Sequence, residues 1–489
     1  MTTSASSAKA APRSHWWSLS VASIATLIVT ADTGQLSVAL PVIIAEFNAD
    51  LALASWIALV YALMTASLYL PCGRLSDLVG VGNLFMGGFV LYALGSVAAG
   101  SAQGAGQLVL FRALQAGGSA LIMANNFALV TALFPPEERG RAMGIAGGTI
   151  SAMGYTLGPV LGGLLTHGFG WRSNFYVSAA LACVGFGAAR VLLPPESFRG
   201  SGARKEPFDF AGAIAFALSI SLILLGLTTA QKGGWLTARV SLPLLGGAAA
   251  LGFFVWWEKR VPAPLLDPSL FRSPAFTLGN IARSISFIAM SVNIVLMPFF
   301  LQLVMGLDPL RAGMLIAPMP FAMALLAPVT GWMSERFLPE RLCSLGLAAT
   351  GVALVFLGFV SPATTALEII VWLFLLGLGM GLFQTPNNNL LMSSVPRARL
   401  GIGSSFLSIV RSLGYSVGAA LAATLVSAQL TGAGGEFALS DLKAQVAPGG
   451  GSAGIAAFLR GFHFAYWSAA ALCFVGAAIS GVRVTKEMR

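Results

Sequence analysis

The chain has 489 residues, of which 56% are hydrophobic and only 9% are charged, and its mean hydropathy is +0.82. This composition excludes a water-soluble globular protein and indicates that the solvent is a bilayer. The formal net charge of +10 does not call for a nucleic-acid partner, because the basic residues mostly flank apolar segments, as topology-setting charges do.

Apolar segments of about 20 residues, the length that crosses a bilayer, recur along the whole chain. The N-terminus, Met1 to Ser14, is small and polar, and it runs into the first apolar segment without a signal-peptide cleavage pattern. The sequence therefore predicts an all-α polytopic membrane protein. Its fourteen transmembrane helices are predicted at residues 17–40, 53–72, 84–102, 107–132, 142–166, 173–193, 209–229, 239–257, 275–303, 311–333, 342–360, 366–392, 400–427 and 461–482.

The distribution of basic residues predicts the orientation. An even number of spans puts both termini on one side, and loops and tails on that side hold 19 of the 28 Lys and Arg residues, against six on the other side. Because cytoplasmic loops carry the excess of positive charge, both termini are predicted to be cytoplasmic. The predicted location is the bacterial cytoplasmic (inner) membrane. The glycine-rich connection at about 428–460 then lies outside and receives no role.

The second half of the chain repeats motifs of the first half in the same order. The paired segments are MANNFALV with TPNNNLLM, MGYTLGPVLGG with LGYSVGAALAA, and GRLSDL with GWMSER. The alternative explanation of these paired motifs is chance similarity, because the sequence is dominated by a few residue types. Related halves of this kind place a substrate site between them, near the membrane midplane. The predicted division is a cytoplasmic tail 1–16, a six-helix half 17–200, two extra linker helices 201–260 and a six-helix half 261–489.

Asp32 lies in the middle of the first span, where a charged group costs about 2.5–3.5 kcal/mol on insertion scales. Helix rise puts Asp32 about 22 Å above the cytoplasmic start of its span and Arg112 about 8 Å below the outer end of the fourth. In a core about 30 Å thick, the two residues meet at one level. Burial disfavours a charged carboxylate and a guanidinium favours it, so the pair is predicted to couple proton movement to transport. A structural carboxylate is the alternative.

The loop after the second span, GRLSDLVG, is predicted to form a cytoplasmic latch. Asp77 is expected to accept hydrogen bonds from the start of the third span or to pair with an arginine. Glu335 and Arg336 are the predicted counterpart in the second half. In the fifth span, GYTLGPVLGG combines a smooth glycine flank with a proline that removes a backbone hydrogen bond, so this span is expected to seal or flex the seam, with generic packing as the alternative. The predicted switching residues are Gly73, Arg74, Asp77, Gly154, Gly158, Pro159, Glu335 and Arg336.

Polar side chains within the spans are predicted to line the substrate cavity. Arg112, Gln115, Ser119 and Asn126 share one face of the fourth span at helical spacing, although an interhelical hydrogen-bond ladder would explain Ser119 and Asn126 equally well. The deep arginines outnumber the single deep Asp, which favours anionic or zwitterionic substrates unless the arginines are structural. The predicted cavity residues are Gln35, Gln115, Ser119, Asn126, Arg283, Asn388 and Arg411.

Five motifs in order resemble the major facilitator superfamily, and specifically its fourteen-helix drug:proton antiporters. They are ADTGQLSVALP (31–41), GRLSDLVGVG (73–82), FRALQAGG (111–118), GYTLGPVLGG (154–163) and FFLQLVMGLDPLRAGMLIAPM (299–319). The resemblance implies the major facilitator fold and export by alternating access. Two positions depart from the family pattern: Arg74 is the only basic residue in the loop after span 2, and Ser37 replaces the usual Asn.

No lysine follows a glycine, so the chain lacks a phosphate-binding loop, and the three histidines show no metal spacing. An enzyme, a nucleic-acid partner and a cofactor other than the proton gradient are therefore not expected. The predicted function is proton-coupled export of amphiphilic organic compounds or drugs by a monomer in contact with lipid, substrate and protons. Two alternatives are a dedicated exporter of an anionic metabolite, such as a siderophore or organic acid, and a non-transporting membrane sensor or assembly scaffold.

Overall fold

The computed structural model describes residues 13–47, 51–200, 207–233, 237–266, 268–431 and 452–487, and every long element in these ranges is a helix. Helices satisfy all backbone hydrogen bonds internally, as the interior of a bilayer requires. The first half consists of α1 (Arg13–Phe47), α2 (Leu51–Val79), α3 (Val81–Gly100), α4 (Ala105–Leu133), α5 (Pro136–Met143), α6 (Ile150–Phe169) and α7 (Arg172–Leu192).

The remaining helices divide into an inserted pair and a second half. The inserted pair is α8 (Phe210–Gly233) and α9 (Ala238–Glu258). The second half consists of α10 (Pro274–Phe299), α11 (Pro309–Ile316), α12 (Pro318–Arg336), α13 (Pro339–Leu357), α14 (Ala366–Ser393), α15 (Leu400–Thr431) and α16 (Ser452–Glu487). Local chemistry marks several of the starts. Proline, whose missing N–H is harmless there, occupies a first-turn position in α5, α10 and α13, and Thr365 and Glu368 form a capping box at α14.

In the described residues, thirteen helices are long and apolar enough to cross a membrane. The fourteenth predicted span, 142–166, coincides with α5, α6 and a π-helical segment, Gly144–Thr149, that joins them. The predicted span 311–333 matches the candidate span Arg311–Ser334, with a local break in its helix. It is divided at Ala317 into α11 and α12, where Pro318 and Pro320 remove backbone donors. The fourteen-helix, all-α fold is confirmed, with two of its spans built from two helical segments each.

Each half has its own apolar interior. Buried side chains of α10 to α16, among them Leu347, Phe383 and Tyr466, form one cluster. Buried side chains of α1 to α7, such as Phe85 and Phe89, form another that also takes in residues of the inserted pair and of α15. The inserted helices pack on each other, and α8 packs against α2, where the hydroxyls of Ser67 and Ser221 lie 2.7 Å apart. Helix α8 also contacts α15, so it adjoins the seam between the halves.

The hydrogen bonds between the two halves lie in the middle of the seam and at the end where Asp77 lies, here called the Asp77 end. In the middle, Ser404 and Ser408 of α15 bond to the backbone of α4. Close helix approach depends on glycine, because a Cβ atom on Gly73 would collide with Gly401, and one on Gly140 would collide with Gly331. The seam is therefore closed at the Asp77 end.

Candidate functional site

Asp32 and Arg112 form a buried ion pair inside the first half. Asp32 on α1 is 3% exposed and Arg112 on α4 is 1% exposed. The Nη1 atom of Arg112 lies 2.8 Å from Oδ2 of Asp32 and 3.0 Å from Oδ1. The two residues thus meet at one depth, as the helix-rise calculation from the sequence requires. Their role in proton coupling stays a prediction.

Neutral groups complete the hydrogen bonding of this pair. Gln115 donates to Oδ1 of Asp32 at 3.2 Å and to Ser96 at 2.8 Å, while its Oε1 accepts from Arg112 at 2.6 Å. The Tyr92 hydroxyl donates to Asp32 at 3.3 Å. The Tyr61 ring lies 4.1 Å from the guanidinium carbon of Arg112, within cation–π range. A buried ion pair is tolerated when further hydrogen bonds satisfy both partners, and this network supplies them.

A small cavity borders the carboxylate of Asp32. It is lined by Asp32, Gln35, Leu36, Ala39, Asn174 and Phe175. Asn174 is 4% exposed, and its Oδ1 atom is buried without a hydrogen-bond partner. Gln35 accepts a hydrogen bond from Ser178 of α7 at 3.2 Å. The structure therefore places Gln35 inside the first half, beside Asp32, and not along the seam where the sequence analysis put it.

The polar face of α4 is also turned into the first half. Gln115 belongs to the ion-pair network, Ser119 is fully buried, and Asn126 donates to Thr26 of α1 at 2.9 Å. This corrects the predicted cavity lining for these three residues. Arg112 lies on the same face of α4 and points towards Asp32. The other residues of that face, at helical spacing, therefore also point into the first half. The α4 residues at the seam are Met123 and Phe127, whose backbone groups bond to α15.

Arg283 is held by the second half. Its Nη1 donates to Oδ1 of Asn388, and its Nε donates to the carbonyl oxygen of Leu407 at 3.1 Å. The guanidinium carbon lies 5.0 Å from the ring of Phe287 and 5.8 Å from that of Phe127 in the first half. Arg283 and Asn388, two predicted cavity residues, are thus brought together next to the seam.

Arg411 lies one helical turn beyond Leu407 on α15 and is half-buried. The polar groups that interact with it are the phenols of Tyr69 on α2, Tyr155 on α6 and Tyr415 on its own helix. Sequence reasoning missed the tyrosines around both Arg112 and Arg411. The sequence indicated them only by the presence of tyrosines inside apolar spans. A buried tyrosine hydroxyl usually has a hydrogen-bond partner.

The glycine flank of α6 packs within the first half and does not seal the seam. Cβ atoms on Gly154 and Gly158 would collide with Thr30 and Ala31 of α1, and Pro159 lies against Gly34. The preceding π-helical segment meets the second half, where Thr149 donates to the carbonyl of Ala324 at 2.9 Å. The glycine face with Gly154, Gly158 and Pro159 thus packs on α1, and residues 144–149 belong to the seam.

Asp77 of the predicted latch contacts the second half, and its switching role stays a prediction. Asp77 accepts hydrogen bonds from the backbone N–H groups of Gly401 at 2.8 Å and Ile402 at 3.2 Å. It thus caps the start of α15 in the other half and not the third span, because α3 follows α2 after the single residue Gly80. Gly73 packs on the same helix.

The other predicted latch residues do not mirror Asp77. Arg74 is fully buried beside Asp77. Arg336 is exposed, and its guanidinium carbon lies 4.3 Å from the ring of Trp332 on its own helix. The side chain of Glu335 lies outside the described residues. The second-half counterpart of the latch is therefore the glycine contact between Gly140 and Gly331.

Comparison with known proteins places the chain in a family. Residues 22–419 match the Major Facilitator Superfamily, so the chain belongs to this superfamily of transporters, which are not enzymes. The riboflavin transporter RibZ of Clostridioides difficile is 28% identical over 467 residues, covering 95% of this chain and 96% of that protein. The multidrug resistance protein Stp of Mycobacterium tuberculosis is 30% identical over 422 residues, covering 86% and 77% respectively.

A solved structure shows the same fold. The human organic anion transporter MFSD10 superposes with a TM-score of 0.63, covering 96% of this chain and 98% of that one at 14% identity. The predicted major facilitator fold is confirmed, and transport of a small molecule across a membrane is the class of function that the family defines.

Proposed function

We propose that the protein is a proton-coupled antiporter of the fourteen-helix drug-export type, which expels amphiphilic organic compounds. The observation that carries this proposal is the buried Asp32–Arg112 pair. A carboxylate inside a membrane protein marks a proton relay or substrate pathway by default. Protonation of Asp32 would remove its charge and free the guanidinium of Arg112, and this changes the packing of α1 against α4. Such a coupled change is what links proton movement to the motion of the halves.

The direction of transport follows from orientation. With the termini in the cytoplasm, the Asp77 end is the cytoplasmic end, and the structure is the state closed to the cytoplasm. Protons would reach Asp32 from outside in this state and leave after the seam has reopened at the Asp77 end. The inward flow of protons then drives substrate outward. The bacterial cytoplasmic membrane and a monomeric state belong to the same proposal.

The relatives support an organic substrate. One is named for riboflavin and another for multidrug resistance, and both names point to organic compounds. A dedicated exporter of an anionic metabolite is the second candidate. Arg283 and Arg411 favour it, because both lie deep in the membrane near the seam.

Transport by the purified protein in proteoliposomes tests the proposal. An imposed pH gradient should drive an amphiphilic dye against its concentration gradient, and a protonophore should abolish this transport. Asp32→Asn should stop gradient-driven transport while insertion and thermal stability change little, and Asp32→Glu should keep partial activity with a shifted pH profile. Asp308→Asn serves as a control, because Asp308 pairs with Arg311 at an exposed position. Wild-type transport rates in Asp32→Asn, driven by the pH gradient, would overturn proton coupling through this residue.

A further inference from the structure

Two deep arginines lie about one helical turn apart at the seam. The Nε of Arg283 donates to the carbonyl of Leu407, and Arg411 follows Leu407 by four residues on α15. The two guanidinium groups therefore lie close enough to interact electrostatically. We infer that Arg283 and Arg411 form a subsite for the anionic group of an amphiphilic substrate: a carboxylate, a sulfonate or a phosphate ester. The inference rests on the proposed transport function and names the charge that the site accepts.

No acidic side chain among the described residues forms an ion pair with either of these two arginines. In the parts of the chain that the structure describes, the groups that interact with them are phenols, an amide and a backbone carbonyl. Arg112 differs, because Asp32 neutralises it. Two like charges in a medium of low dielectric repel strongly, and buried charges are normally paired. An anion placed between the two arginines would remove both penalties.

The surroundings suit an anion attached to a ring system. Tyr69, Tyr155 and Tyr415 lie within electrostatic range of Arg411, and Tyr69 also forms a hydrogen bond with it. Phenol hydroxyls can donate hydrogen bonds to an oxyanion. The Tyr415 ring packs 5.2 Å from that of Phe287, and its hydroxyl contacts the Met290 sulfur at 3.4 Å. Aromatic rings and a polarisable thioether provide an apolar wall beside the charge.

The two arginines have different access to a ligand. Arg283 is only 2% exposed, whereas Arg411 is half-buried and its neighbour Tyr155 is 40% exposed. The anion would therefore contact Arg411 and Tyr155 first, with Arg283 behind them. Tyr69 and Tyr155 come from the first half and both arginines from the second. An occupied subsite thus connects the halves, so its contacts change when the seam opens.

Equilibrium binding to the purified full-length protein in detergent tests the inference. Fluorescein and rhodamine 6G share a xanthene ring but carry opposite charge at neutral pH, and their anisotropy reports binding directly. We expect fluorescein to bind more tightly. Arg411→Gln should weaken fluorescein binding about 10- to 100-fold, the usual worth of a charge-assisted hydrogen bond, and should leave rhodamine 6G unchanged or bound more tightly. Arg411→Lys should retain part of the affinity.

Three controls keep the result interpretable. Arg190→Gln removes the same charge from an exposed position on α7 and should have no effect on either dye. Arg283→Gln loses structural hydrogen bonds and can fail to fold, so a milder variant is needed. Tyr155→Phe removes one exposed hydroxyl and should weaken fluorescein binding about two- to tenfold. Asp308→Asn, at an exposed position that pairs with Arg311, should bind both dyes as the parent does.

The outcomes separate the inference from the transport proposal. Equal binding of both dyes, or equal effects of Arg411→Gln and Arg190→Gln, would overturn the subsite and leave proton-driven export untouched. Binding of chloride at Arg411 that leaves fluorescein binding unaffected would also overturn the subsite. The site would then hold a small inorganic anion only. Charge-selective binding without proton-driven transport would support the subsite and remove the antiport proposal.

Discussion

The Asp77 carboxylate of α2 caps the first turn of α15 in the opposite half: Oδ1 accepts a hydrogen bond from the Gly401 N–H at 2.8 Å. A helix N-terminus has unpaired N–H groups and a partial positive charge, and both favour a carboxylate. Because α2 and α15 belong to different halves, this bond exists only while the Asp77 end is closed. We therefore expect opening at the Asp77 end to break this capping interaction.

Replacement of Asp77 by alanine should shift the protein towards the state that is open at the Asp77 end. Loss of a helix cap costs about 0.5–2 kcal/mol, and here the cost falls on the closed state alone. Spin labels at Glu137→Cys and Arg397→Cys, exposed positions at this end, should report longer distances once the four native cysteines are replaced. Thr365→Ala removes a cap inside the second half and should leave the distances unchanged. Unchanged distances in Asp77→Ala would show that the cap does not control closure.

Gly331→Ala should weaken closure through the other contact at the same end. A methyl group on Gly331 would collide with the backbone of Gly140, so the halves cannot approach as closely. The same label pair should report a larger open population, and the transport rate in proteoliposomes should fall. The matched control is Gly187→Ala on α7, where a Cβ atom meets nothing within 4 Å. Equal behaviour of the two variants would argue against a gating role for this glycine pair.

The fold and the ion pair were predictable from the sequence for one reason: both depend on rare features. Fourteen long apolar segments and a repeated motif set define the architecture, and the single deep Asp needed a partner. Helix rise then put Arg112 at the depth of Asp32, which the structure shows as a direct contact. Depth along a helix is a one-dimensional property, so it can be calculated without knowledge of the packing.

The remaining contacts could not be predicted because they depend on how the helices rotate about their axes. The faces of α1 and α4 that carry Gln35 and Asn126 turn into the first half, and no periodicity distinguished that interior from the seam. Asp77 bonds to backbone N–H groups more than 300 residues away, and backbone donors leave no mark in the sequence. The tyrosines near Arg112 and Arg411 could not be distinguished in the sequence from other residues of the apolar spans, because their neighbours depend on helix packing.

Gly158→Ala should destabilise the first half. A Cβ atom there would lie 2.6 Å from the Ala31 carbonyl oxygen, so α6 and α1 must separate next to Asp32. Overpacking of this kind typically costs 1–3 kcal/mol, and the thermal unfolding temperature in detergent should fall. Gly168→Ala on the same helix, where a Cβ atom meets nothing within 4 Å, should unfold as the parent does. A similar fall in both variants would trace the effect to helix conformation and not to the α1 contact.

Loss of the Arg112 guanidinium should move the pH dependence of substrate binding upward. The Arg112 guanidinium donates directly to both carboxylate oxygens of Asp32, so its removal takes away the positive charge that stabilises the ionised carboxylate. The midpoint of the binding curve should therefore rise in Arg112→Ala. Gln115→Leu removes a neutral donor to the same carboxylate and should shift the midpoint in the same direction but less. Arg190→Gln should leave the binding curve in place.

Dye binding titrated from pH 5 to pH 9 in detergent measures the midpoint for all three variants. A midpoint that stays fixed in Arg112→Ala would show that the Asp32–Arg112 ion pair does not set the pH dependence of substrate binding.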